Sequence, residues 1–380
     1  MKGRVIGVCI LVCLFFPGIC YAKEQGTENG LPENWRDSIS LEEVESVFEH
    51  LQGGESGFSP GQYVKEVMEG KTEFSVHNLW QLLMKQVTEQ FAGQKKEIFR
   101  ILALGLIAGI FMNFAGTVGD KDLGETGFFI TFLLLFATIS TGFYATYEVA
   151  AEALENLLTF MRALIPSFSL TLCFTGGTVT SAAYYETMLI ILSLIEMLMT
   201  HVFLPGVQVY FLVSMINQLS NNRFSKMAEL IRSFLRFSLK VLFGVLIGYQ
   251  GIQGMLIPVM DKVKNNSVLQ AAKGLPGVGN TMGSLADTLF GSGMLIKSAV
   301  GVGGLICIII LCLLPFVKIF VFTALYCIGS ALLQPVSEKR VVSAIYAAAE
   351  SGKLLMGYLL AGALMFLISI IIILVCTNLV

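Results

Sequence analysis

The chain has 380 residues, of which 55% are hydrophobic and 14% charged, and its mean hydropathy is +0.74. Soluble domains carry about 25% charged residues, so the composition excludes an ordinary soluble protein and indicates a membrane protein. A net charge of −2 argues against a nucleic-acid partner, because no basic stripe is present to neutralise phosphates.

The first 22 residues are typical of a secretory signal peptide. Lys2 and Arg4 form its basic start, residues 5–16 form its apolar core, and Cys20-Tyr21-Ala22 is a small-residue cleavage site. We expect cleavage after Ala22. An uncleaved membrane anchor is the alternative.

Residues 23–97 are the only clearly aqueous segment, and we expect them to form a small exported helical region. Ser40 and Glu43 fit a capping box, and Ser59-Pro60 fits the start of a second helix. Residues 74–91 fit a third, amphipathic helix. So short a segment buries only a small core, and we expect it to rely on the membrane domain or on partners.

Beyond residue 98 the chain has long runs without charge, which predict membrane-spanning helices. A helix needs about 20 mostly apolar residues to cross a bilayer, and an open strand cannot cross because lipid offers its backbone no hydrogen bonds. The sequence therefore predicts an all-α polytopic membrane protein. Runs free of Asp, Glu, Lys, Arg and His are 101–119, 128–147, 241–260 and 354–380, and 298–337 carries only Lys318.

The first membrane segment, 98–165, is predicted to hold two spans and one further helix. The spans cover about 98–116 and 128–147. Residues 148–165 carry Glu148, Glu152, Glu155 and Arg162. This pattern fits an amphipathic helix at the membrane interface, and a simple connecting helix is the alternative.

The rest of the chain resembles an internal duplication, with residues 166–257 as one repeat and 258–380 as the other. A shift of 110 residues lays Pro166 on Pro276 and Leu204-Pro205 on Leu314-Pro315, and a shift of 113 lays Lys240 on Lys353. Repeats are common in transporters, whose sites lie near helices interrupted by Gly or Pro. The candidate helix-break residues are Pro205, Pro315, Pro276 and Gly279.

The two Leu-Pro breaks leave two topologies open. If residues 186–220 form one kinked span, the basic residues that follow lie in the cytoplasm with the N-terminal region exported, as the positive-inside rule requires. If each proline instead turns a hairpin, both basic patches cannot be inside. We favour kinked or partly re-entrant spans. The basic residues are Arg223, Lys226, Arg232, Arg236, Lys240, Lys339, Arg340 and Lys353.

The sequence carries no enzyme signature, and we predict no catalytic, cofactor-binding or metal-binding residues. Gly70-Lys71-Thr72 lacks the first glycine of a phosphate-binding loop, since position 65 is Lys65. The glycines of 274–279 follow no predicted strand. Cysteines outside the signal peptide lie in apolar runs without a CxxC pair, which predicts neither a disulfide framework nor a thiolate metal site.

Four ionisable residues within apolar runs are the candidate functional residues, because a charge in a membrane is costly unless it is paired or wet. They are Glu186, Glu196, His201 and Lys318. One interpretation is a polar passage or a proton-linked site between the repeats, and Glu196 and Lys318 would line such a passage. The alternatives are a structural ion pair of these two residues, or side chains that reach the interface.

Small residues predict close helix packing at two places. These are Gly244 with Gly248, and the group Gly301, Gly303 and Gly304.

Several stretches together resemble the stage III sporulation protein AE family, over nearly the whole chain. In the second half they are Pro276 with Gly279, Asp287-Thr288, Leu295, Lys297, Val300-Gly301 and Gly304. Upstream they are Gly70-Lys71, Phe74-Ser75, Leu79 or Trp80, Ala163 to Pro166, and Gly176 to Val179. The family offers no catalytic residue to carry over.

The resemblance implies a role in endospore-forming bacteria, in the mother-cell membrane around the engulfed forespore. It implies membership of a channel or secretion-like complex of several stage III membrane proteins, which supports the forespore after engulfment. The exported N-terminal region would face the space between the two membranes. The rival hypothesis, favoured by the repeat, is a free-standing secondary transporter for a small solute, and a membrane enzyme is a distant third.

Overall fold

The described part of the computed structural model is helical apart from short turns, and it contains no strand. It comprises residues 44, 46–48, 88, 91, 93–96, 98–110, 121–174, 178–220, 222–273 and 279–378, without the side chains of 121–125, 174, 178, 254–292, 295 and 376–378. The predicted signal peptide and most of the predicted exported region lie outside these residues. The predicted all-α polytopic fold is confirmed.

Residues 98–110 are helical and precede six longer helices. The long helices are α1 Lys121–Phe174, α2 Thr178–Leu198, α3 Leu204–Leu219, α4 Ser225–Lys273, α5 Gly279–Leu333 and α6 Lys339–Asn378, and a π-helical turn at Met199–Phe203 joins α2 to α3.

Four stretches of the described chain are long and apolar enough to cross a bilayer. They are Thr126–Cys173, Val179–Leu219, Ile296–Leu333 and Lys339–Val375. Each is longer than the roughly 20 residues that a crossing requires, so the helices extend beyond the hydrocarbon core or cross it at a tilt.

Helix α1 joins two elements that the sequence analysis separated. Residues 128–147 and 148–165 form one continuous helix, because no glycine or proline lies between Phe143 and Ile165 to interrupt it. The apolar face of the second half is covered by protein, with Leu157, Phe160 and Met161 fully buried. An interfacial position for this half in the membrane stays a prediction.

Two helical hairpins make up most of the bundle. In the first hairpin, α2 and α3 form one arm, residues 220 and 222–224 belong to the turn, and α4 forms the returning arm. In the second, α5 and α6 are joined by residues 334–338. Asn222 adopts a left-handed conformation in the first turn (φ 64°), which asparagine tolerates better than most residues. Each hairpin has a proline in its first arm and a basic start to its second. The internal duplication stays a prediction.

Glycines allow the central helices of the second hairpin to approach their neighbours closely. A Cβ on Gly304 would lie 2.8 Å from the Leu164 side chain of α1, and one on Gly301 would lie 2.7 Å from Leu374 of α6. This agrees with the predicted close packing at these residues. Around Gly244 and Gly248, by contrast, no described atom lies within 4 Å of such a Cβ, so this face of α4 is open.

Candidate functional site

The structure does not bring together the four ionisable residues predicted as candidates. Glu186, His201 and Lys318 are exposed on the outer surface of the bundle. Glu196 is half-buried, and its Oε2 lies 2.5 Å from Nη2 of Arg162 on α1. Glu196 therefore joins α2 to α1, and it is not paired with Lys318.

The predicted helix-break residues have different positions. Pro205 lies in the first turn of α3, directly after the π-helical turn, in which the Leu204 N–H donates to the Met199 carbonyl. Pro315 lies inside α5, which continues through it. Gly279 is the first residue of α5, and Pro276 lies outside the described residues. Neither Pro205 nor Pro315 reverses the chain. The α2–α3 arm of the first hairpin and the α5 arm of the second therefore each run in a single direction.

Within the described part of the chain, the most densely charged buried site surrounds Glu350 of α6, which is 3% exposed. Its Oε2 forms an ion pair with Arg232 of α4 and accepts a hydrogen bond from Arg236 of the same helix at 3.4 Å. Its Oε1 accepts from Lys353 Nζ and from the Tyr346 hydroxyl, both at 3.0 Å. The Lys353 ammonium also lies 5.0 Å from the centre of the Tyr346 ring. We call these five residues the Glu350 cluster.

Helical spacing explains how the sequence builds this cluster. Arg232 and Arg236 are four residues apart and share one face of α4, while Tyr346, Glu350 and Lys353 share one face of α6. Three cations surround one carboxylate, and charge-assisted hydrogen bonds of this kind are roughly twice as strong as neutral ones. Both oxygens of Glu350 are occupied, which offsets the cost of burying the charge.

Sequence reasoning missed Glu350, because the basic residues around it were interpreted only as topology markers. A signal was present: Glu350 is the one acidic residue between Lys339 and Val380. An acid that follows a run of alanines, with a lysine three residues later, indicates a paired charge on the packed face of a helix.

A polar cavity of about 370 Å³ adjoins the cluster. This volume lies within the usual range for small-molecule sites, roughly 300–1,000 Å³. The cavity lies near the turn of the first hairpin, between that hairpin and α6. Its lining residues are Tyr210, Ser214, Asn217, Gln218, Ser225, Ala228, Glu229, Arg232, Ser343, Tyr346, Ala347 and Glu350.

Uncharged polar side chains meet where α2, α4 and α6 come together. Gln250 Nε2 donates to the Ser369 hydroxyl, and Gln253 Nε2 donates to the Thr187 hydroxyl and, at 3.3 Å, to the Ala183 carbonyl. A cavity of about 20 Å³ lies beside them, large enough for one water molecule. The buried Tyr184 hydroxyl also lines this cavity, and it has no hydrogen-bond partner among the residues that the structure describes.

An aromatic pair lies between these two polar regions. The rings of Phe203 and Tyr358 are stacked with centroids 5.1 Å apart and an interplanar angle of 8°. Both side chains are almost fully buried, and no described residue forms a hydrogen bond with the Tyr358 hydroxyl. We call the contact surface of α2–α3, α4 and α6 that holds these three features the seam.

The described residues include no group of three or more His, Cys, Asp and Glu side chains that could hold a metal ion. The seam offers paired charge, hydroxyl groups and amides. Such groups can bind polar molecules and hold helices in register.

Comparison with known proteins identifies the family. Residues 58–377 match the sequence profile of the family described as Stage III sporulation protein AE. The chain belongs to this family. It is similar to Stage III sporulation protein AE of Bacillus subtilis strain 168, with 21% identity over 362 residues that cover 93% of this chain and 90% of that protein. No solved structure matches the chain. The resemblance stated from the sequence is thus confirmed.

Proposed function

We propose that this protein is a multi-span component of a channel or secretion-like complex that links mother cell and forespore, and that it supports the forespore after engulfment. One observation carries the proposal: the family match extends over residues 58–377 and therefore includes all six long helices. The protein would act in the mother-cell membrane that faces the forespore, together with other stage III sporulation membrane proteins. We propose no enzymatic activity, cofactor or nucleic-acid partner for it.

The Glu350 cluster supports an orientation for the protein in this membrane. Arg232 and Arg236 of the first hairpin meet Lys353 of the second, so basic residues of both hairpins lie at one site. The positive-inside rule places such residues in the cytoplasm, here that of the mother cell. This orientation requires α4 to cross the membrane through its uncharged run 241–260, in addition to the four stretches given above, and residues 98–116 to form the predicted first span. Both turns then lie on this side, and the N-terminal region lies on the other, in the space between the membranes.

A second candidate function is a free-standing transporter for a small solute. The observation that favours it is the seam, where polar groups of two similar hairpins face each other near the cavity of about 370 Å³. Transporters built from repeats bind their substrates at such junctions.

Deletion of the gene separates the two candidates. We expect normal vegetative growth and a block in spore development after engulfment, restored by a wild-type copy expressed in the mother cell alone. A vegetative growth defect that one added nutrient corrects would contradict the complex and favour the transporter. Restoration only by expression in the forespore would contradict the proposed membrane.

A further inference from the structure

The seam holds polar cavities at two levels of the bundle, with an apolar barrier between them. We propose that the seam is a gated passage for small uncharged polar solutes, and that the stacked Phe203 and Tyr358 rings form its gate. This inference deepens the proposed function and rests on it only for the membrane in which the protein acts.

The first argument is the spacing of the polar groups along α6. With a rise of about 1.5 Å per residue, Glu350 and Ser369 are about 28 Å apart. This separation is close to the thickness of a bilayer core, about 30 Å. Glu350 lines the large cavity and Ser369 lines the small one. The two cavities therefore lie about one bilayer core apart.

The second argument is the nature of the barrier. Tyr358 lies about 12 Å from Glu350 and about 16 Å from Ser369 along the helix. Its ring is 1% exposed and that of Phe203 is 2% exposed, so the stack closes the seam. The Tyr358 hydroxyl is buried there without a partner, which is unusual for a polar group in a packed interior. A solute or water chain that crosses the seam would supply that partner.

The third argument is a hinge at the gate. Phe203 is the last residue of the π-helical turn, and π-bulges occur frequently at functional sites. A π-turn carries one extra residue, so its conversion to α-helix would rotate the preceding helix by about 100° relative to the following one. The contact of Gly206 with Leu235 holds α3 against α4, with a Cβ position 2.6 Å from the leucine side chain. Movement would therefore displace α2 and the Phe203 ring.

The charge distribution indicates which solutes would pass. The polar groups beside the small cavity are hydroxyls and amides. They belong to Tyr184, Thr187, Gln250, Gln253 and Ser369. None of them carries a charge that would offset the lost hydration of an ion. In the large cavity the Glu350 carboxylate is paired with three basic side chains, so the cluster carries a net positive charge that repels cations. Uncharged molecules with hydroxyl or amide groups, such as urea or glycerol, fit this lining better than ions do.

The test uses the purified full-length protein in lipid vesicles, with urea and glycerol as probes and light scattering as the readout. Wild-type vesicles should be nearly as tight as protein-free vesicles, because the gate is closed. Phe203→Ala should raise the urea permeability at least tenfold, and Tyr358→Ala should do the same. Potassium permeability should stay at the level of protein-free vesicles.

Phe211→Ala is the matched control. Phe211 is also a buried phenylalanine close to the same π-turn, but it stacks on Phe143 of α1 at 4.0 Å, outside the seam. Its loss should disturb packing to a similar degree without opening the passage. Adding Gln250→Leu to Phe203→Ala should reduce the urea permeability again. Phe203→Leu, a milder change, should give a smaller increase and serves if the alanine variant does not fold.

Three results would overturn the proposal. If vesicles that contain folded Phe203→Ala or Phe203→Leu protein are no more permeable to urea than vesicles with the wild-type protein, Phe203 does not form a gate. Equal leakage through the Phe203→Ala and Phe211→Ala proteins would show a general loss of packing. Potassium flux that rises together with urea flux would refute the selectivity for uncharged solutes. Because these measurements use vesicles, they leave the sporulation role to be decided by the gene deletion.

Discussion

Replacing Glu350 by glutamine tests the cluster that joins the two hairpins. The substitution keeps the size of the side chain and removes its charge, so Arg232, Arg236 and Lys353 lose their common counter-ion. Breaking a buried ion pair in this way costs about 3–5 kcal/mol. The three basic side chains are 26–44% exposed and can recover part of their hydration. We therefore expect the free energy of unfolding to fall by about 2–3 kcal/mol, at or just below the lower limit of that range.

The measurement is the thermal unfolding midpoint in mild detergent, together with protein levels in membranes. Glu229→Gln is the matched control, because Glu229 lines the same cavity but is 71% exposed and pairs only with the exposed Lys226. An exposed pair of this kind contributes about 0.2–1 kcal/mol. The double variant Glu350→Gln with Arg232→Gln should lose less stability than the sum of the two single variants. Equal midpoints for Glu350→Gln and Glu229→Gln would refute the stabilising role of the cluster.

Three further predictions follow from other contacts. Arg162→Ala should lower stability by only about 0.2–1 kcal/mol in the same unfolding assay, because both side chains of its pair with Glu196 are 39% exposed or more; a loss as large as that of Glu350→Gln would contradict this. Gly304→Ala should lower the free energy of unfolding by about 1–3 kcal/mol, because its Cβ would lie 2.8 Å from Leu164. Gly244→Ala has no described atom within 4 Å of its Cβ and should leave the stability unchanged or raise it slightly. The reverse order of stabilities would show that the bundle is packed differently. Alkaline-phosphatase fusions should be active after residue 60 and near residue 270 and inactive near residues 226 and 340, and activity at 226 would overturn the proposed orientation.

The class of fold could be predicted from the sequence because lipid leaves so few alternatives. Runs without charge such as 128–147 and 354–380 must form helices to satisfy their backbone hydrogen bonds. Helix boundaries were less predictable. The polar residues after Tyr147 suggested a separate interfacial helix, but nothing in that stretch interrupts an α-helix, and α1 continues to Phe174.

The site was harder to predict because pairing depends on which helix faces meet. Glu196 and Lys318 stood out as charges in apolar runs, yet one pairs with Arg162 and the other faces outward. Glu350 and Gln250 did not stand out. Their significance comes from neighbours more than 100 residues away in the chain, Arg236 for Glu350 and Ser369 for Gln250. Periodicity within one helix carries no information about such contacts.

Purification of the tagged protein from sporulating cells tests the central proposal most directly. In mild detergent, we predict that the protein migrates in a large complex with other stage III sporulation membrane proteins, and that Glu350→Gln lowers its amount without changing its partners. A protein that migrates alone, at the size of its own chain and detergent, while sporulation proceeds normally would contradict a role in a complex between mother cell and forespore.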